Sequence, residues 1–539
     1  MNKEFEFSHK EDTTATVNLP LTSQPLPPHY SMFLSSPGQL TAKVDAELKK
    51  RGVAAAVAAE EDGVEMDRQS PFMKEHYEHL VAAVEVEDEE EVDEFPKDPT
   101  TTILLDLPLE GIPSGIACDV CRVKFPPPQG EGSLQDPFRC AGCCQTFGSP
   151  GVSPPKNRER ERSSPFRTML SERHFSQDTF PRLLGREFGI SYILRTGMRL
   201  PVMILQKKGL GLQILQEEAG EEVLSVEKVV QLLGGYTRVP VIDVERQQEE
   251  AENNWNLFKY QYYYDHPELR QRPVNVISLE VTGSDLGDLI TRPRTVQQID
   301  WSDLVWPKEE AFPKVQLYVL MSVADCWTNF HIDFGGTSVF YHLLYGQKVF
   351  YLIEPTPENL AIYEGWSTST LQDTAFLGDL VETCTRVEIN PGNTVIIPTG
   401  WIHAVFTPVD SLVVGGNFLH SFNIPMQLQV AALEDRAKIP IRFRFPYYDE
   451  MQWHAAAYFL QQLEAGSKLS SWESAGLLPL VEHLRPLVDD NSRCKGTKEQ
   501  LVLLQKLEFL AQQFLQQRQG QEKQRRQQQR KQQQKLHHQ

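Results

Sequence analysis

Two histidines and one aspartate in the second half of the chain have the types and spacing of a metal-ligand set. His331 and Asp333 are one residue apart in Thr328–His342, a stretch that reads as a strand, a glycine turn and a second strand. Residues two apart on a strand point to the same face, so an imidazole and a carboxylate can converge. A second apolar strand, Thr394–Pro398, leads to His403 at its end. Two histidines and one carboxylate, with open positions opposite, form the ligand set of non-haem Fe(II) oxygenases.

The context of this pattern matters more than the pattern itself, because a chain with 14 histidines contains about one His-x-Asp by chance. Lys348 alternates inward on the next strand, and Thr328 precedes His331 by three residues. An ammonium and a hydroxyl can bind the far carboxylate of a 2-oxo acid whose other end binds the metal. Tyr341 and Asn275 are further polar candidates for the pocket wall, although Asn275 could equally cap a core strand. We therefore expect a pocket for Fe(II), a 2-oxo acid and O2.

Four cysteines have the spacing of a structural zinc site. Cys118 and Cys121 form one Cys-x2-Cys pair, and Cys140 and Cys143 form a second pair after 18 residues. Two such pairs supply four thiolates to a tetrahedral Zn²⁺, and a set of free thiols is the alternative. Eight cysteines in 539 residues are sparse, and the start of the chain is charged. These features indicate a reducing compartment, where disulfides are rare.

The charge of the chain is unevenly distributed. A formal net charge of −20 argues against a protein that coats nucleic acid over its whole surface, but it leaves room for local basic patches. Acidic residues concentrate at Glu85–Glu94, whereas the last two dozen residues are basic. A second group of basic residues lies in the linker at Arg158, Arg160 and Arg162. Both this group and the basic tail could serve nuclear import or contact nucleic acid, and the alternative is a solvated surface without such a role.

Composition and hydrophobic pattern divide the chain into segments. We predict a disordered acidic region over 1–100 with a helical patch at 42–61, a small four-cysteine zinc-binding module over 101–150, a linker over 151–165, a helical and strand support region over 166–300, a jelly-roll catalytic domain over 301–430, a helical region over 431–490, and a helix with a Gln/Arg/Lys-rich tail over 491–539. Short strands separated by turn residues, such as Gly346-Gln347 and Pro408–Asp410, are typical of a jelly roll. The predicted fold class is mainly β with flanking helices (α+β). It is a double-stranded β-helix (jelly roll, cupin-like) with N- and C-terminal helical additions.

Five stretches of this region carry a family resemblance. In chain order they are Asn275–Glu280, Asp300-Trp301 with Trp306-Pro307, Thr328–His342, Ile397–Ala404 and Gly415–Ser421. Together they resemble the JmjC-domain histone lysine demethylases over residues 195–455, about half of the chain. Ile441–Trp453 resembles the F-box-associated branch of that family in particular, and the PHD-finger branch is the next most similar.

The resemblance implies an Fe(II)- and 2-oxoglutarate-dependent dioxygenase. Such an enzyme hydroxylates an N-methyl group of a methylated histone tail with O2, and formaldehyde and succinate are released. The implied substrate is mono- or dimethyl lysine 36 of histone H3, and the implied role is transcription and chromatin regulation in the nucleus. The positions that match the family's ligands are His331, Asp333 and His403 for iron, and Thr328, Lys348, Asn275 and Tyr341 for 2-oxoglutarate.

Three alternatives remain open at this point. The chain could demethylate lysine 9 or 27 of histone H3, act as a JmjC protein hydroxylase, or serve as a non-catalytic chromatin scaffold. We recognise no F-box, leucine-rich repeat, complete PHD finger or complete CXXC finger, so no targeting module decides the lysine. DNA or a nucleosome could contact the linker, the zinc module or the tail. No membrane association is expected, since the longest apolar run near the N-terminus, Val53–Ala59, is too short to span a bilayer.

Overall fold

The computed structural model describes residues 116–125, 138–147, 165–214, 224–250, 254–370, 372, 375–489 and 497–537. The acidic region with its helical patch and the arginines of the linker therefore lie outside the described residues. The strands within the described residues are β1 (Ile116–Ala117), β2 (Lys124–Phe125), β3 (Arg182–Leu183), β4 (Val202–Ile204), β5 (Gln213–Ile214), β6 (Ile242–Asp243), β7 (Gln248–Glu249), β8 (Val274–Glu280), β9 (Ile290–Thr291), β10 (Tyr318–Ser322), β11 (Cys326–His331), β12 (Ser338–Ile353), β13 (Thr385–Ile389), β14 (Thr394–Ile397) and β15 (Ile402–Phe418).

The α-helices of the same residues lie mainly before and after the strand-rich region. They are α1 (Ala141–Phe147), α2 (Pro165–Ser171), α3 (Ile190–Thr196), α4 (Val226–Leu233), α5 (Leu257–Asp265), α6 (Arg294–Ile299), α7 (Trp301–Leu304), α8 (Pro357–Ser367), α9 (Ile424–Arg436), α10 (Tyr448–Glu464), α11 (Ser471–Asp489) and α12 (Lys498–His537). None of the helices described is long and apolar enough to cross a membrane.

Two long strands, β12 and β15, organise the barrel by pairing antiparallel along most of their lengths. The first half of β12 pairs also with β14, and its second half pairs with β13. The first half of β15 pairs with β11, and its second half pairs with β10, which continues to β8 and β6. Each long strand therefore contributes to two layers of the sheet. This arrangement confirms the predicted jelly roll with flanking helices.

The two turns predicted inside these strands are wrong. The chain stays in β12 through Gly346-Gln347 and in β15 through Pro408–Asp410, although the pairing register shifts where the strands bend. Gly346 has a φ of +87°, and a Cβ at this position would lie 2.2 Å from the backbone oxygen of Asp410. Gly346 therefore permits a β-bulge at which the backbones of the two strands are in close contact. It does not form a turn that ends a strand.

The aromatic helix α5 supports the barrel from outside. Its N-cap is Asn256, whose side chain accepts the backbone N–H of Lys259 at 2.9 Å. The rings of Tyr260 and Tyr263 are buried. Their hydroxyls donate to Met321 of β10 and to Arg272 just before β8. The run of aromatic residues is thus core packing, and it fixes two strands that line the central cavity.

A second hydrophobic core joins the C-terminal helices to the barrel. Leu477 and Leu484 of α11 pack in this core with Phe459 of α10 and with Leu507 of α12. Helix α9 packs on the tight turn Phe334–Gly336, which follows the predicted metal ligand Asp333. The helical additions therefore contact the barrel close to its candidate site.

Candidate active site and metal-binding clusters

The structure brings His331, Asp333 and His403 together. Strand β11 ends at His331, and Asp333 lies two residues further on, at the start of the turn Phe334–Gly336. His403 is the second residue of β15, so its predicted position at the end of the preceding strand is wrong. Antiparallel pairing places His331 directly opposite His403. The third ligand therefore comes from the strand that pairs with β11.

The side chains of this triad are oriented for metal binding. Their ligand atoms all lie within 4.8 Å of one another, and Nε2 of His403 is 3.7 Å from Oδ2 of Asp333. Nδ1 of His331 lies 2.8 Å from the carbonyl oxygen of Asn329, and Nδ1 of His403 lies 3.1 Å from that of Trp401. Because a carbonyl oxygen only accepts, each Nδ1 carries a proton and each Nε2 presents its lone pair.

The electrostatics of the triad agree with this orientation. Burial lowers the pKa of His403 to about 4, and the neighbouring His331 acts in the same direction. His403 is therefore neutral at pH 7, which is the form that binds a metal. Two imidazoles and one carboxylate are a donor set that fits Fe(II).

Lys348 is buried in the same cavity. Its ammonium donates to the hydroxyls of Ser322 at 2.7 Å and of Thr407 at 2.8 Å. An ammonium has three N–H donors, and these two uncharged partners occupy two of them. Burial lowers the pKa of Lys348 to about 7. A buried cation held only by neutral groups is destabilised, so this position fits a carboxylate ligand.

The cavity has a volume of about 230 Å³ and is lined by all seven residues predicted from the sequence. Asn275 contributes a buried side-chain oxygen that has no hydrogen-bond partner in the structure. Buried polar atoms without a partner are rare in folded proteins and often mark a ligand position. Thr328 and Tyr341 line the same space. These residues fit 2-oxoglutarate, with Lys348 at the position for its far carboxylate.

Sequence reasoning missed several polar residues of the cavity. Tyr318, Ser278 and Asn417 line it, and Ser322 and Thr407 hold the lysine. These residues lie on β8, β10 and β15. Alternation along those strands would have identified their inward positions, but only after the face of each strand was known.

The four predicted cysteines also form one cluster. The Sγ atoms of Cys118, Cys121, Cys140 and Cys143 all lie within 4.8 Å of one another, and those of Cys121 and Cys140 are 3.8 Å apart. A tetrahedral site with Zn–S bonds of about 2.3 Å has S···S edges of about 3.8 Å. The donor set and its dimensions therefore fit Zn²⁺.

The cysteine cluster packs directly on the support region of the barrel. Asn256, the N-cap of α5, donates its side-chain N–H to the backbone oxygen of Cys121 at 2.9 Å. Phe147 packs edge-on against Tyr262 at a centroid distance of 5.3 Å, and Arg139 donates to the hydroxyl of that tyrosine. The cluster is therefore part of the outer wall of this support region and not a module held apart from it.

Comparison with known proteins agrees with the fold. The protein-family model described as "JmjC domain, hydroxylase" matches residues 318–418, and the family model described as "Jumonji helical domain" matches residues 422–478. The chain is 41% identical over 327 residues to Lysine-specific demethylase 2A of Xenopus tropicalis, covering 58% of this chain and 28% of that protein. It is 37% identical over 377 residues to Lysine-specific demethylase 7B of Danio rerio, covering 65% and 63%.

A fungal relative extends the comparison. JmjC domain-containing histone demethylation protein 1 of Aspergillus fumigatus is 49% identical over 242 residues, which are 44% of this chain and 17% of that protein. The match thus covers between about a sixth and just under two thirds of these relatives. The chain contains a JmjC domain followed by a Jumonji helical domain, and its sequence resembles those of the JmjC histone lysine demethylases.

Proposed function

We propose that the protein is an Fe(II)- and 2-oxoglutarate-dependent histone lysine demethylase. The observation that carries the proposal is one cavity that contains both a two-histidine, one-carboxylate cluster and the buried cation Lys348. Two imidazoles and a carboxylate leave positions open on an octahedral metal. A 2-oxo acid and O2 can occupy those positions while Lys348 binds the distant carboxylate of the acid.

The residues of the chain have separate tasks in this proposal. His331, Asp333 and His403 hold the metal, with Nε2 of both imidazoles fixed toward it by the backbone bonds of Nδ1. Lys348 and Thr328 orient 2-oxoglutarate, with Asn275 and Tyr341 in support. The apolar walls, including Phe350 and Val405, exclude water from the reacting groups.

The proposed reaction consumes one O2 and one 2-oxoglutarate for each methyl group. Bound Fe(II) supplies the oxidation chemistry: one oxygen atom enters 2-oxoglutarate, which becomes succinate and CO2, and the other enters the N-methyl C–H bond. The resulting N–CH2OH group loses formaldehyde, and the proton of its hydroxyl returns to nitrogen. Residues that hold both substrates near the metal reduce the entropy cost of this step.

For the substrate, we propose mono- or dimethyl lysine 36 of histone H3. Support comes from the F-box-branch sequence resemblance and from similarity to relatives named Lysine-specific demethylase 2A and histone demethylation protein 1. Similarity to the relative named Lysine-specific demethylase 7B, together with the PHD-finger-branch resemblance, supports a competing assignment to lysine 9 or 27. A histone substrate implies a nuclear protein, and DNA or nucleosome contact would occur beside the methylated tail.

The decisive experiment is a panel of methylated histone H3 peptides, read by mass spectrometry with Fe(II), 2-oxoglutarate and O2. Loss of about 14 mass units per methyl group, the mass of CH2, with formaldehyde release, is expected first at lysine 36. The His331→Ala variant serves as the control. A stable gain of one oxygen would identify a hydroxylase instead. Absence of 2-oxoglutarate turnover with every peptide would contradict the enzymatic proposal and favour a scaffold.

We also propose that Cys118, Cys121, Cys140 and Cys143 bind one structural Zn²⁺. The support is their tetrahedral spacing and their burial against the catalytic core. Metal analysis of the purified full chain should give one zinc per molecule. A full chain that contains no zinc would leave these residues as free thiols.

A further inference from the structure

Strand β11, which carries Thr328 and His331, has β15 as its partner strand on one edge. Its opposite edge meets the side chain of Gln247. The amide nitrogen of Gln247 donates to the backbone oxygen of Trp327 at 2.9 Å. The amide oxygen of the same side chain accepts from the backbone N–H of Asn329 at 3.1 Å. One glutamine amide thus makes the two hydrogen bonds that a neighbouring strand would make.

The turn that presents Gln247 is itself fixed. Residues 244–247 connect β6 and β7, and Asp243 accepts from the backbone N–H groups of Glu245 and Arg246 at 3.0 and 3.1 Å. Asp243 is buried and pairs with Arg272 at 3.0 Å. Gln247 adopts a φ of +52°, a conformation that non-glycine residues rarely take. Backbone strain of this kind persists where the surrounding structure fixes it, and it occurs most often at functional sites.

The contacts of Gln247 coincide with an irregularity in β11. Pairing with β15 is regular up to Thr328 and then shifts register before His331. Asn329 lies in this bulge, and its carbonyl oxygen is 2.8 Å from Nδ1 of His331. The residue whose N–H is held by Gln247 therefore also sets the tautomer and the ring direction of a candidate metal ligand.

The geometry points to Gln247 as a positioning residue for the candidate iron site: its amide replaces a strand at the bulge in β11 and holds Thr328 and His331 in their binding positions. Thr328 lies between the two backbone groups that Gln247 binds, and it faces the cavity. His331 follows the bulge. This inference rests on the proposed function, and it extends that function to a residue that does not line the cavity.

Two substitutions distinguish the effect of the Gln247 side chain from the effect of its left-handed backbone conformation. Gln247→Ala removes both hydrogen bonds to β11. Gln247→Asn keeps an amide but shortens its reach by one methylene, and asparagine tolerates the left-handed conformation better than most residues. The asparagine variant should therefore fold at least as well as the parent while losing the bridge. Glu245→Ala, an exposed position in the same turn, is the matched control.

The readout is binding of Mn²⁺ to the zinc-containing full chain with 2-oxoglutarate present, measured by isothermal titration calorimetry. Mn²⁺ prefers oxygen and imidazole ligands to thiolates, so it reports on the His/Asp cluster. Both Gln247 variants should weaken Mn²⁺ binding about tenfold, as outer-sphere changes at metal sites do. Without Mn²⁺, the melting temperature of Gln247→Asn should equal that of Glu245→Ala, whereas Gln247→Ala should be less stable because it loses the hydrogen bonds with no compensating gain.

The outcomes distinguish this inference from the proposed function. If the parent binds Mn²⁺ and Gln247→Asn binds it equally well, Gln247 does not position the site. If the affinity falls only together with the melting temperature of the metal-free chain, Gln247 has a general structural role and the inference is wrong. If the parent binds no Mn²⁺, the proposed iron site fails, and this inference fails with it.

Discussion

The two clusters of candidate metal ligands differ in how many donors they offer and in what surrounds them. His331, Asp333 and His403 supply three donors that face a cavity of about 230 Å³. The four cysteines supply a complete tetrahedral set, and Cys118 and Cys143 are almost fully buried. Sites with an open position exchange ligands and do chemistry, whereas closed sites stabilise the fold. The two ligand sets therefore suit two different purposes, ligand exchange at the first and stabilisation of the fold at the second.

The neighbours of each cluster reinforce this difference. The open cluster consists of His331, Asp333 and His403. Its two imidazoles are held by backbone carbonyl oxygens and share a cavity with Lys348, which can bind an anion. The closed cluster, which consists of the four cysteines, is hydrogen-bonded through Cys121 to Asn256, the N-cap of helix α5. That helix in turn holds β8 and β10 by its tyrosine hydroxyls. Loss of the first cluster should abolish chemistry, and loss of the second should weaken the structure.

The largest effect is expected from His331→Ala. Removing one of three ligands should reduce conversion of 2-oxoglutarate to succinate to the background rate, because the remaining two donors bind Fe(II) weakly. The melting temperature of the metal-free chain should not change, since the cavity is already open. Succinate formation and calorimetry measure the two quantities. His174→Ala, at a position away from the cavity lining, is the control, and a fully active His331→Ala variant would remove this residue from the site.

Cys143→Ser, in the closed cluster, should have the opposite effect to His331→Ala, because it should lower stability and not the intrinsic activity of the folded protein. Binding of structural zinc contributes on the order of 10 kcal/mol in small zinc domains, so loss of one thiolate should release zinc and lower the melting temperature. Any loss of activity should follow the loss of folded protein. Cys144→Ser is a closely matched control because it changes the adjacent cysteine outside the four. Equal zinc content in the two variants would contradict the four-ligand site.

Within the open cluster, Lys348→Ala should act on the co-substrate and not on the metal. A buried carboxylate that loses its charged partner costs about 2–5 kcal/mol, which corresponds to at least a twentyfold to thirtyfold weaker affinity for 2-oxoglutarate. Titration calorimetry with Mn²⁺ present measures this affinity. Lys308→Ala, at an exposed position, should leave it unchanged. An unaltered affinity in Lys348→Ala would mean that another group binds the far carboxylate.

The same lysine should make the affinity of the cavity for 2-oxoglutarate depend on pH. Burial lowers the pKa of Lys348 to about 7 in the absence of ligand, so the ammonium is present below this pH and is lost above it. Because 2-oxoglutarate binds the charged form, its affinity should fall by up to about tenfold per pH unit above 7. Lys348→Arg stays charged at every pH of the assay. Its affinity should therefore not show this decline, and a decline of equal slope would assign the titration to another group.

Much of the open cluster is readable from the sequence because its ligands have distinctive types and lie on strands with clear alternation. His331, Asp333 and Lys348 are identified in this way, as are the four cysteines by their spacing. The positions of Gly346 and Pro408 are misread as turns. Local rules treat glycine and proline as breaks in a strand, whereas the long pairing of β12 with β15 absorbs both as bends. Tertiary pairing of this kind is not encoded within a short window.

Residues that act through other residues are hidden for the same reason. Gln247 lies 84 positions before His331 in the sequence, and it reaches β11 only because the turn after β6 folds back onto that strand. Glu434 lies 101 positions after Asp333, on a helix that reads as ordinary packing. No feature of residue type marks either one. Their roles depend on contacts between elements that are distant in the sequence.

The smallest effect in this comparison is expected at Glu434, where the helical domain meets the open cluster. Its carboxylate accepts from the backbone N–H of Gly335 at 2.8 Å, and Gly335 has a φ of +60° in the turn that follows Asp333. One hydrogen bond contributes about 1 kcal/mol, so Glu434→Ala should weaken Mn²⁺ binding about fivefold.

Burial raises the pKa of Glu434 to about 7, so the carboxyl is partly neutral at that pH. Glu434→Gln, which keeps an uncharged acceptor, should therefore bind Mn²⁺ nearly as well as the parent. Equal loss in the two variants would show that charge, and not the hydrogen bond to the turn, supports Asp333.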